Sequence, residues 1–159
     1  MGKGFYFAFG LLILVGIFFF AFMKPSASGY SALENFNGTV DFYRSESCGC
    51  CTLHESYLRG SGKLNVKDNQ MSDISSIKTG FNIPTQLQSC HTAVVGNYFV
   101  EGHIPLEAIN KLISEKPNIK GIAMPGMPQG SPGMPGAKYG DFVIYSVNSD
   151  GSYEEFMRI

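Results

Sequence analysis

The sequence predicts an α/β domain over residues 39–159, and the pattern of its apolar residues leads to this prediction. Segments in which apolar and polar residues alternate, as in strands, are separated by segments in which apolar residues recur at helical spacing. The predicted order is strand, helix, strand, helix, hairpin and helix, and a CxxC pair lies between the first strand and the first helix. These features predict a thioredoxin-like sandwich, with an added C-terminal β-hairpin and an N-terminal transmembrane helix.

The N-terminal residues predict a membrane anchor. Residues 4–23 carry no charge, and a helix of their length spans roughly 30 Å, the thickness of a bilayer's hydrocarbon core. Lys3 and Lys24 flank this run, which is longer than the apolar core of a usual signal peptide. We therefore predict a transmembrane signal anchor over residues 1–24, and a cleaved signal peptide is the alternative.

The orientation of this anchor rests on its flanks. Lys3 and the terminal amine stand against Lys24 and the more distant Arg44, so the count of positive charges is nearly equal on the two sides. The short N-terminal flank and the lack of a second apolar span in the sequence favour a domain that lies outside the cytoplasm. Residues 25–38 are mostly small and polar, and they predict a tether between the anchor and the domain.

The first half of the domain is predicted to contain two strands and two helices. Residues 39–45 alternate apolar and polar side chains, several of them β-branched or aromatic, which predicts a strand. Residues 52–60 predict a short helix that glycines end, and residues 63–70 predict a second strand. Residues 71–84 predict a brief helix that is broken near Gly80.

A hairpin and a longer helix follow. The apolar residues 92–95 and 98–103 predict two strands, which the Gly-Asn dipeptide at 96–97 joins in a tight turn. Pro105 is suited to the first turn of a helix, and Pro117 marks its end. The apolar side chains of this helix form one stripe and predict its buried face: Leu106, Ile109, Leu112 and Ile113.

The C-terminal part combines a long loop with a second hairpin. Residues 117–140 are rich in Pro, Gly and Met, so we predict a loop without regular structure. Such a length is unusual in a compact domain and indicates either a function or disorder. Residues 141–159 predict two strands around a turn at residues 149–151.

The CGCC motif, residues 48–51, lies where the first helix is predicted to begin. The exposed amides and the dipole of a helix N-terminus stabilise thiolates, which attack disulfides and bind soft metals. His54 is four residues from Cys50 and three from Cys51, spacings that place these side chains on one helical face. We therefore predict Cys48, Cys50, Cys51 and His54 as candidate metal ligands.

Cys90 and His91, before the first strand of the hairpin, form a second cluster. In a thioredoxin-like fold this segment lies beside the CxxC pair, and thioredoxins place a cis-proline there. In this sequence Cys90 and His91 take that place, because Pro84 lies too far upstream. We therefore expect Cys90 and His91 to face the CxxC pair and to complete a Cys/His metal site. His103, at the end of the hairpin, returns towards the same edge, either as a ligand or as a hydrogen-bonded strand-end histidine.

The Pro-Gly-Met loop adds thioethers. Met127 and Met134 are candidate ligands because thioethers select Cu(I). The alternative is that these residues and Met124 only fill gaps over the core.

These motifs in combination resemble a bacterial and archaeal family of metal-binding domains of unknown function, whose members are often found in copper-resistance loci: CGCC, SCHTAVVGNYFVEGHIP and GIAMPGMPQGSPGMPG. The similarity covers residues 39–159. It implies a thioredoxin-like domain that binds a soft metal, copper above all, outside the cytoplasm, and it implies no established activity. Where the family often has an aromatic residue and, three places later, a histidine, this sequence has His54 and Tyr57. By position, the residues shared with the family are Cys48, Cys50, Cys51, Cys90, His91, His103, Met127 and Met134.

Two functions of different classes follow, and nucleic-acid binding is set aside because the net charge is −1 and Lys and Arg are not clustered. The first is a membrane-tethered protein that binds Cu(I), with zinc as the alternative ion, and buffers it or passes it to a copper-handling partner protein. The second is a thiol-disulfide oxidoreductase that uses Cys48 and Cys51. The adjacent third thiol and the missing cis-proline favour the first, which is not an enzyme. A single disulfide, Cys48 to Cys51 or one to Cys90, is an alternative state of the thiols.

Overall fold

The computed structural model describes residues 29–159 of the chain. The predicted anchor, residues 1–24, lies outside the described residues, as does the first part of the predicted tether. Within the described part of the chain, no helix is both long enough and apolar enough to cross a membrane.

From the first strand to the fourth helix, the elements follow the predicted order. The helices are α1 (Ser31–Glu34), α2 (Gly49–Gly60), α3 (Ser75–Gly80) and α4 (Leu106–Glu115), with a 3-10 turn at Thr85–Leu87. The strands are β1 (Thr39–Ser45), β2 (Asn65–Met71), β3 (His91–Val95), β4 (Tyr98–Glu101), β5 (Gly121–Ala123), β6 (Val143–Val147) and β7 (Tyr153–Arg158).

The strands of the described chain form one mixed, seven-stranded sheet with the order β2-β1-β3-β4-β5-β6-β7. β1 is parallel to β2 and β4 is parallel to β5, while the other neighbouring strands are antiparallel. Both predicted hairpins, β3–β4 and β6–β7, are present. In the first hairpin Gly96 has a φ of +61°, the left-handed conformation that tight hairpin turns require. The predicted α/β class is confirmed.

The sheet is buried on both faces. On one face Phe42 of β1 belongs to a buried cluster that includes Leu58 of α2 and Ile109 of α4. On the other face Phe99 of β4 packs in a smaller cluster with Ile83, which follows α3. Of the predicted apolar stripe of α4, Leu106, Ile109 and Leu112 are buried, and Ile113 packs on the core but is only partly buried.

β5 shows that the prediction of no regular structure in residues 117–140 is wrong. Gly121–Ala123 pairs with β4 on one side and β6 on the other, and all three residues are buried. A Cβ on Gly121 would lie 2.2 Å from the carbonyl oxygen of Phe99, so this glycine permits the close approach of the two strands. Three residues are too few to show an alternating pattern, and tertiary pairing decides their conformation.

One helical turn, α1, lies within the predicted tether. Leu33 of this turn is fully buried in the main core. The side-chain oxygen of Asn110 in α4 accepts hydrogen bonds from the backbone N–H groups of Ala32 and Leu33, at 3.1 and 3.3 Å. Part of residues 25–38 therefore packs on the domain, and the limits of anchor, tether and domain stay predictions.

Candidate metal centre

The junction of β1 and α2 places the three cysteines of the CGCC motif. β1 ends at Ser45, and the backbone N–H of Cys48 donates to the Ser45 carbonyl at 3.2 Å, which turns the chain into the helix. α2 begins at Gly49, earlier than the sequence predicts, so Cys50 and Cys51 lie in its first turn. The thiols therefore lie at a helix N-terminus, as predicted.

The four cysteine sulfurs lie within 4.8 Å of one another. Cys48 and Cys51 form a disulfide, whereas Cys50 and Cys90 are free thiols. The Sγ atom of Cys50 lies 3.5 Å from that of Cys48 and 3.9 Å from that of Cys90. Two thiolates that share a tetrahedral ion through bonds of about 2.3 Å are about 3.8 Å apart, so Cys50 and Cys90 are spaced to hold one metal ion.

The imidazoles form a second cluster, which touches the sulfur cluster at Cys90. The Sγ atom of Cys90 lies 3.1 Å from Nε2 of His103 and 3.3 Å from Nδ1 of His91. Nε2 of His91 in turn lies 2.7 Å from Nδ1 of His54. All three histidines are buried, and their ligand atoms lie within 4.8 Å of one another. The fold thus brings every predicted cysteine and histidine together.

Burial sets the protonation of these groups. It lowers the pKa of His54 to about 3 and also lowers the pKa values of His91 and His103, so each imidazole is neutral at pH 7 and keeps one unprotonated nitrogen. Burial raises the pKa of the Cys90 thiol to about 12, and the neighbouring Cys50 adds to this effect. A bound cation displaces that proton, because metal coordination deprotonates a thiol outright.

Of the predicted loop methionines, Met127 reaches the sulfur cluster. Its Sδ atom lies 4.0 Å from the Sγ atom of Cys50, and about half of the residue is exposed. Met134 is half-buried in a turn, where its N–H donates to the Ser131 carbonyl at 2.8 Å, and its role as a ligand stays a prediction. Met124 is buried in the core, which fits the gap-filling alternative.

The part of the Pro-Gly-Met loop that follows β5 is hydrogen-bonded to both sides of the site. Nδ1 of His103 donates a hydrogen bond to the carbonyl oxygen of Pro132 at 2.8 Å. The hydroxyl of Ser89, next to Cys90, donates to the carbonyl oxygen of Gly126 at 2.5 Å. These two hydrogen bonds hold the loop against the histidine cluster and against the segment that carries the free thiol of Cys90.

Gly133 lets this loop pack directly on α2. Its φ is +83°, and a Cβ at this position would lie 2.6 Å from the backbone nitrogen of His54. Gly140 has a φ of +68° and no atom within 4 Å of its Cβ position. Gly133→Ala is expected to lower the free energy of unfolding by about 1–3 kcal/mol more than Gly140→Ala, because only Gly133→Ala adds steric overlap to the left-handed strain. Chemical denaturation of both variants measures the difference, and equal effects would contradict tight packing of the loop.

A buried ion pair between Lys78 and Glu101 lies behind the site, and no prediction from the sequence includes it. Glu101 is fully buried, and its carboxylate also accepts hydrogen bonds from the N–H of Ser89 and the hydroxyl of Thr92, both at 2.6 Å. The one signal for it in the sequence is a glutamate at the end of an apolar strand. This network holds in place the segment that precedes β3.

Comparisons with known proteins agree with the chemistry of the site. The family model described as "Protein of unknown function, DUF411" matches residues 87–134. Two solved structures described as "Copper resistance protein copG", Form 1 and Form 2, are 33% and 34% identical to the chain, with TM-scores of 0.69 and 0.70. The similarity covers 76% of this chain and 96% and 97% of those chains. No curated protein matches the sequence significantly.

Proposed function

The chain belongs to the family of the copper resistance protein CopG, and from this premise we propose that it binds copper and serves copper resistance. The family that the sequence motifs predict is thereby confirmed. The donor set of thiols, imidazoles and a thioether suits Cu(I), which is the oxidation state we propose. Zinc is the less suitable ion, because a closed Cys/His site leaves the methionine unused.

The 3.9 Å separation of the free thiols of Cys50 and Cys90 carries this proposal. One ion can bridge two thiolates at this distance, and Met127 supplies a third soft donor 4.0 Å from Cys50. Because Met127 is half exposed, ligands of an incoming protein can replace the ligands of the site one at a time. This accessibility supports a role in buffering copper or delivering it to a copper-handling partner protein.

Competition titration of the full chain tests the proposal. The protein is purified anaerobically and titrated with Cu(I) in the presence of a coloured Cu(I) chelator. We expect the protein to withdraw Cu(I) from the chelator, and we expect added Zn(II) not to displace the bound copper. Failure to compete with the chelator, or displacement of copper by an equal amount of zinc, would overturn the proposal.

The disulfide between Cys48 and Cys51 supports a second candidate function, a thiol-disulfide oxidoreductase. The pair lies at the start of α2, where a helix N-terminus favours the thiolate. The free thiol of Cys50 lies 3.5 Å from the Cys48 sulfur, close enough to exchange with the disulfide. Catalysis of insulin reduction by the metal-free protein, with an added thiol as the reductant, would favour this function over copper binding.

Reduction of the disulfide is expected to tighten Cu(I) binding at least about tenfold, or 1.4 kcal/mol, because it adds two thiolates to the site. The affinity of the oxidised chain is compared with that of the chain reduced and freed of reductant under anaerobic conditions. The control is the double variant Cys48→Ser/Cys51→Ser, in which reduction adds no thiolate, so its affinity stays constant. A wild-type affinity that is the same in both states contradicts the participation of Cys48 and Cys51.

We propose that residues 1–24 anchor the domain outside the cytoplasm. The uncharged run of residues 4–23 supports this placement, and a Cys48–Cys51 disulfide is compatible with an oxidising compartment. Labelling of the Cys50 thiol on copper-depleted intact cells by a membrane-impermeant reagent tests it, and full protection of the thiol would refute it.

We also propose that the first four strands form a thioredoxin-like unit to which the C-terminal hairpin is added. The order β2-β1-β3-β4 and the CxxC pair after β1 support this relationship.

A further inference from the structure

We propose that His54 is not a copper ligand but a positioning residue, which fixes the tautomer of His91 so that Nδ1 of His91 faces the Cys90 sulfur. The inference rests on the proposed copper site and assigns different roles to its three histidines. The evidence for it is a chain of hydrogen bonds through the three histidines, which ends at two backbone carbonyl groups, those of Ile104 and Pro132.

The first carbonyl belongs to Ile104. Its oxygen lies 3.1 Å from Nε2 of His54, and a carbonyl can only accept, so Nε2 of His54 carries a proton and donates. In a neutral imidazole the other nitrogen, Nδ1, is then an acceptor. The buried position of His54, only 1% exposed, favours this neutral form.

The protonation of His91 follows from that of His54. Nδ1 of His54 lies 2.7 Å from Nε2 of His91, and since Nδ1 accepts, Nε2 of His91 must donate. Nδ1 of a neutral His91 therefore carries a lone pair and no proton, 3.3 Å from the Cys90 sulfur. The ring of Phe42 stacks on His91 with centroids 4.6 Å apart and holds the plane of the imidazole.

The second carbonyl belongs to Pro132 and sets the tautomer of His103 in the same way. Nδ1 of His103 donates to it at 2.8 Å, which leaves the lone pair of Nε2 directed at the Cys90 sulfur, 3.1 Å away. A thiolate and an imidazole nitrogen bound to one tetrahedral ion are about 3.5 Å apart, so both nitrogens can join Cys90 on a metal after a small adjustment.

His54 has no nitrogen to offer in this arrangement. Its Nε2 proton is held by a carbonyl, and its Nδ1 lone pair is occupied by the N–H of His91. His54 therefore acts like the outer partners of other metal sites, which orient a ligand histidine through its second nitrogen. The exchange of positions between His54 and Tyr57 is consistent with a supporting role rather than coordination.

Long-range ¹H–¹⁵N NMR on the full chain with ¹⁵N-labelled histidine tests the assignment directly. In the metal-free protein we expect protons on Nε2 of His54, Nε2 of His91 and Nδ1 of His103. Added Cu(I) is expected to shift Nδ1 of His91 and Nε2 of His103, and to leave the proton of His54 in place. A proton on Nδ1 of His54, or a copper-induced shift of that nitrogen like those of the two ligands, overturns the inference.

Two near-isosteric variants separate positioning from packing. In His54→Asn the amide oxygen takes the place of Nδ1 and can still accept from His91, whereas His54→Leu has the same branching and no acceptor. We expect His54→Leu to weaken Cu(I) binding roughly 10–100-fold and to mix the tautomers of His91, and His54→Asn to retain both properties. Equal affinities for the two variants would overturn the inference.

The metal-free spectrum keeps this test independent of the copper proposal. If the wild-type chain binds no Cu(I), the proposed function fails, while the three tautomers are still read from the metal-free protein. If His54→Leu does not fold, the wild-type spectrum and His54→Asn decide.

Discussion

Replacement of Cys90 by serine is expected to weaken Cu(I) binding by more than about 100-fold, because loss of an outer-shell partner alone costs roughly 10–100-fold and Cys90 is expected to touch the ion. The Cys90 sulfur is the point where the two clusters of the site meet. It lies 3.9 Å from the Cys50 sulfur, 3.1 Å from Nε2 of His103 and 3.3 Å from Nδ1 of His91. Chelator competition under anaerobic conditions measures the loss.

Leu53→Ser provides the matched control for this variant. Leu53 lies on α2 close to the motif, is 58% exposed and carries no metal donor, so its replacement is expected to leave the affinity unchanged. Circular dichroism of Cys90→Ser shows whether the fold is intact, since serine occupies less volume than cysteine in a half-buried position. If a folded Cys90→Ser chain bound Cu(I) with wild-type affinity, Cys90 would not be a ligand. The proposal that one ion binds the two thiolates of Cys50 and Cys90 would then be wrong.

Much of the site could be predicted because its parts are local in sequence. The spacing of residues 48–51 at the end of a strand places the thiols at a helix start. The antiparallel pairing of β1 with β3 brings Cys90 and His91 beside them, and the expectation of this contact rests on the thioredoxin-like arrangement, not on the hydrophobic pattern alone. Contacts between distant segments could not be predicted in this way. The bond between His54 and His91 depends on side-chain directions across 37 residues of chain, which spacing on one helix does not fix.

The fold shows the same division between local pattern and tertiary contact. Strands such as β1 and helix α4 carry a period of two or 3.6 residues over enough length to be recognised. β5 and α1 do not, since they contain three and four residues, and their conformation is stabilised by β4, β6 and α4 rather than by propensity. For this reason the sequence pattern of residues 117–140 does not reveal β5.

Loss of the buried ion pair between Lys78 and Glu101 is expected to lower the stability of the fold strongly. Lys78→Met should lower the free energy of unfolding by about 3–5 kcal/mol, because it leaves the Glu101 carboxylate buried without its partner charge. Lys78 is 6% exposed and Glu101 is fully buried. Methionine matches the length of the lysine stem, so the loss reports the charge rather than a cavity. Chemical denaturation of the full chain measures it.

Lys67→Met is the control for an exposed pair. The Lys67 ammonium lies 3.6 Å from the Asp41 carboxylate, and 66% of the Lys67 side chain is exposed. Loss of this ion pair is therefore expected to lower the free energy of unfolding by less than about 1 kcal/mol. A loss for Lys78→Met as small as that for Lys67→Met would show that the Glu101 charge does not depend on the lysine.

The double variant Lys78→Met/Glu101→Gln separates charge from hydrogen bonding. An amide at position 101 keeps an oxygen for the Ser89 N–H, which the carboxylate now binds at 2.6 Å, and it buries no charge. Most of the stability lost in Lys78→Met is therefore expected to return in the double variant. Any loss of Cu(I) affinity in Lys78→Met should also be recovered in the double variant, because the hydrogen bond from the Ser89 N–H anchors the segment that leads to Cys90. A double variant that regains stability but not copper affinity would show that Lys78 itself, and not the anchoring of this segment, shapes the metal site.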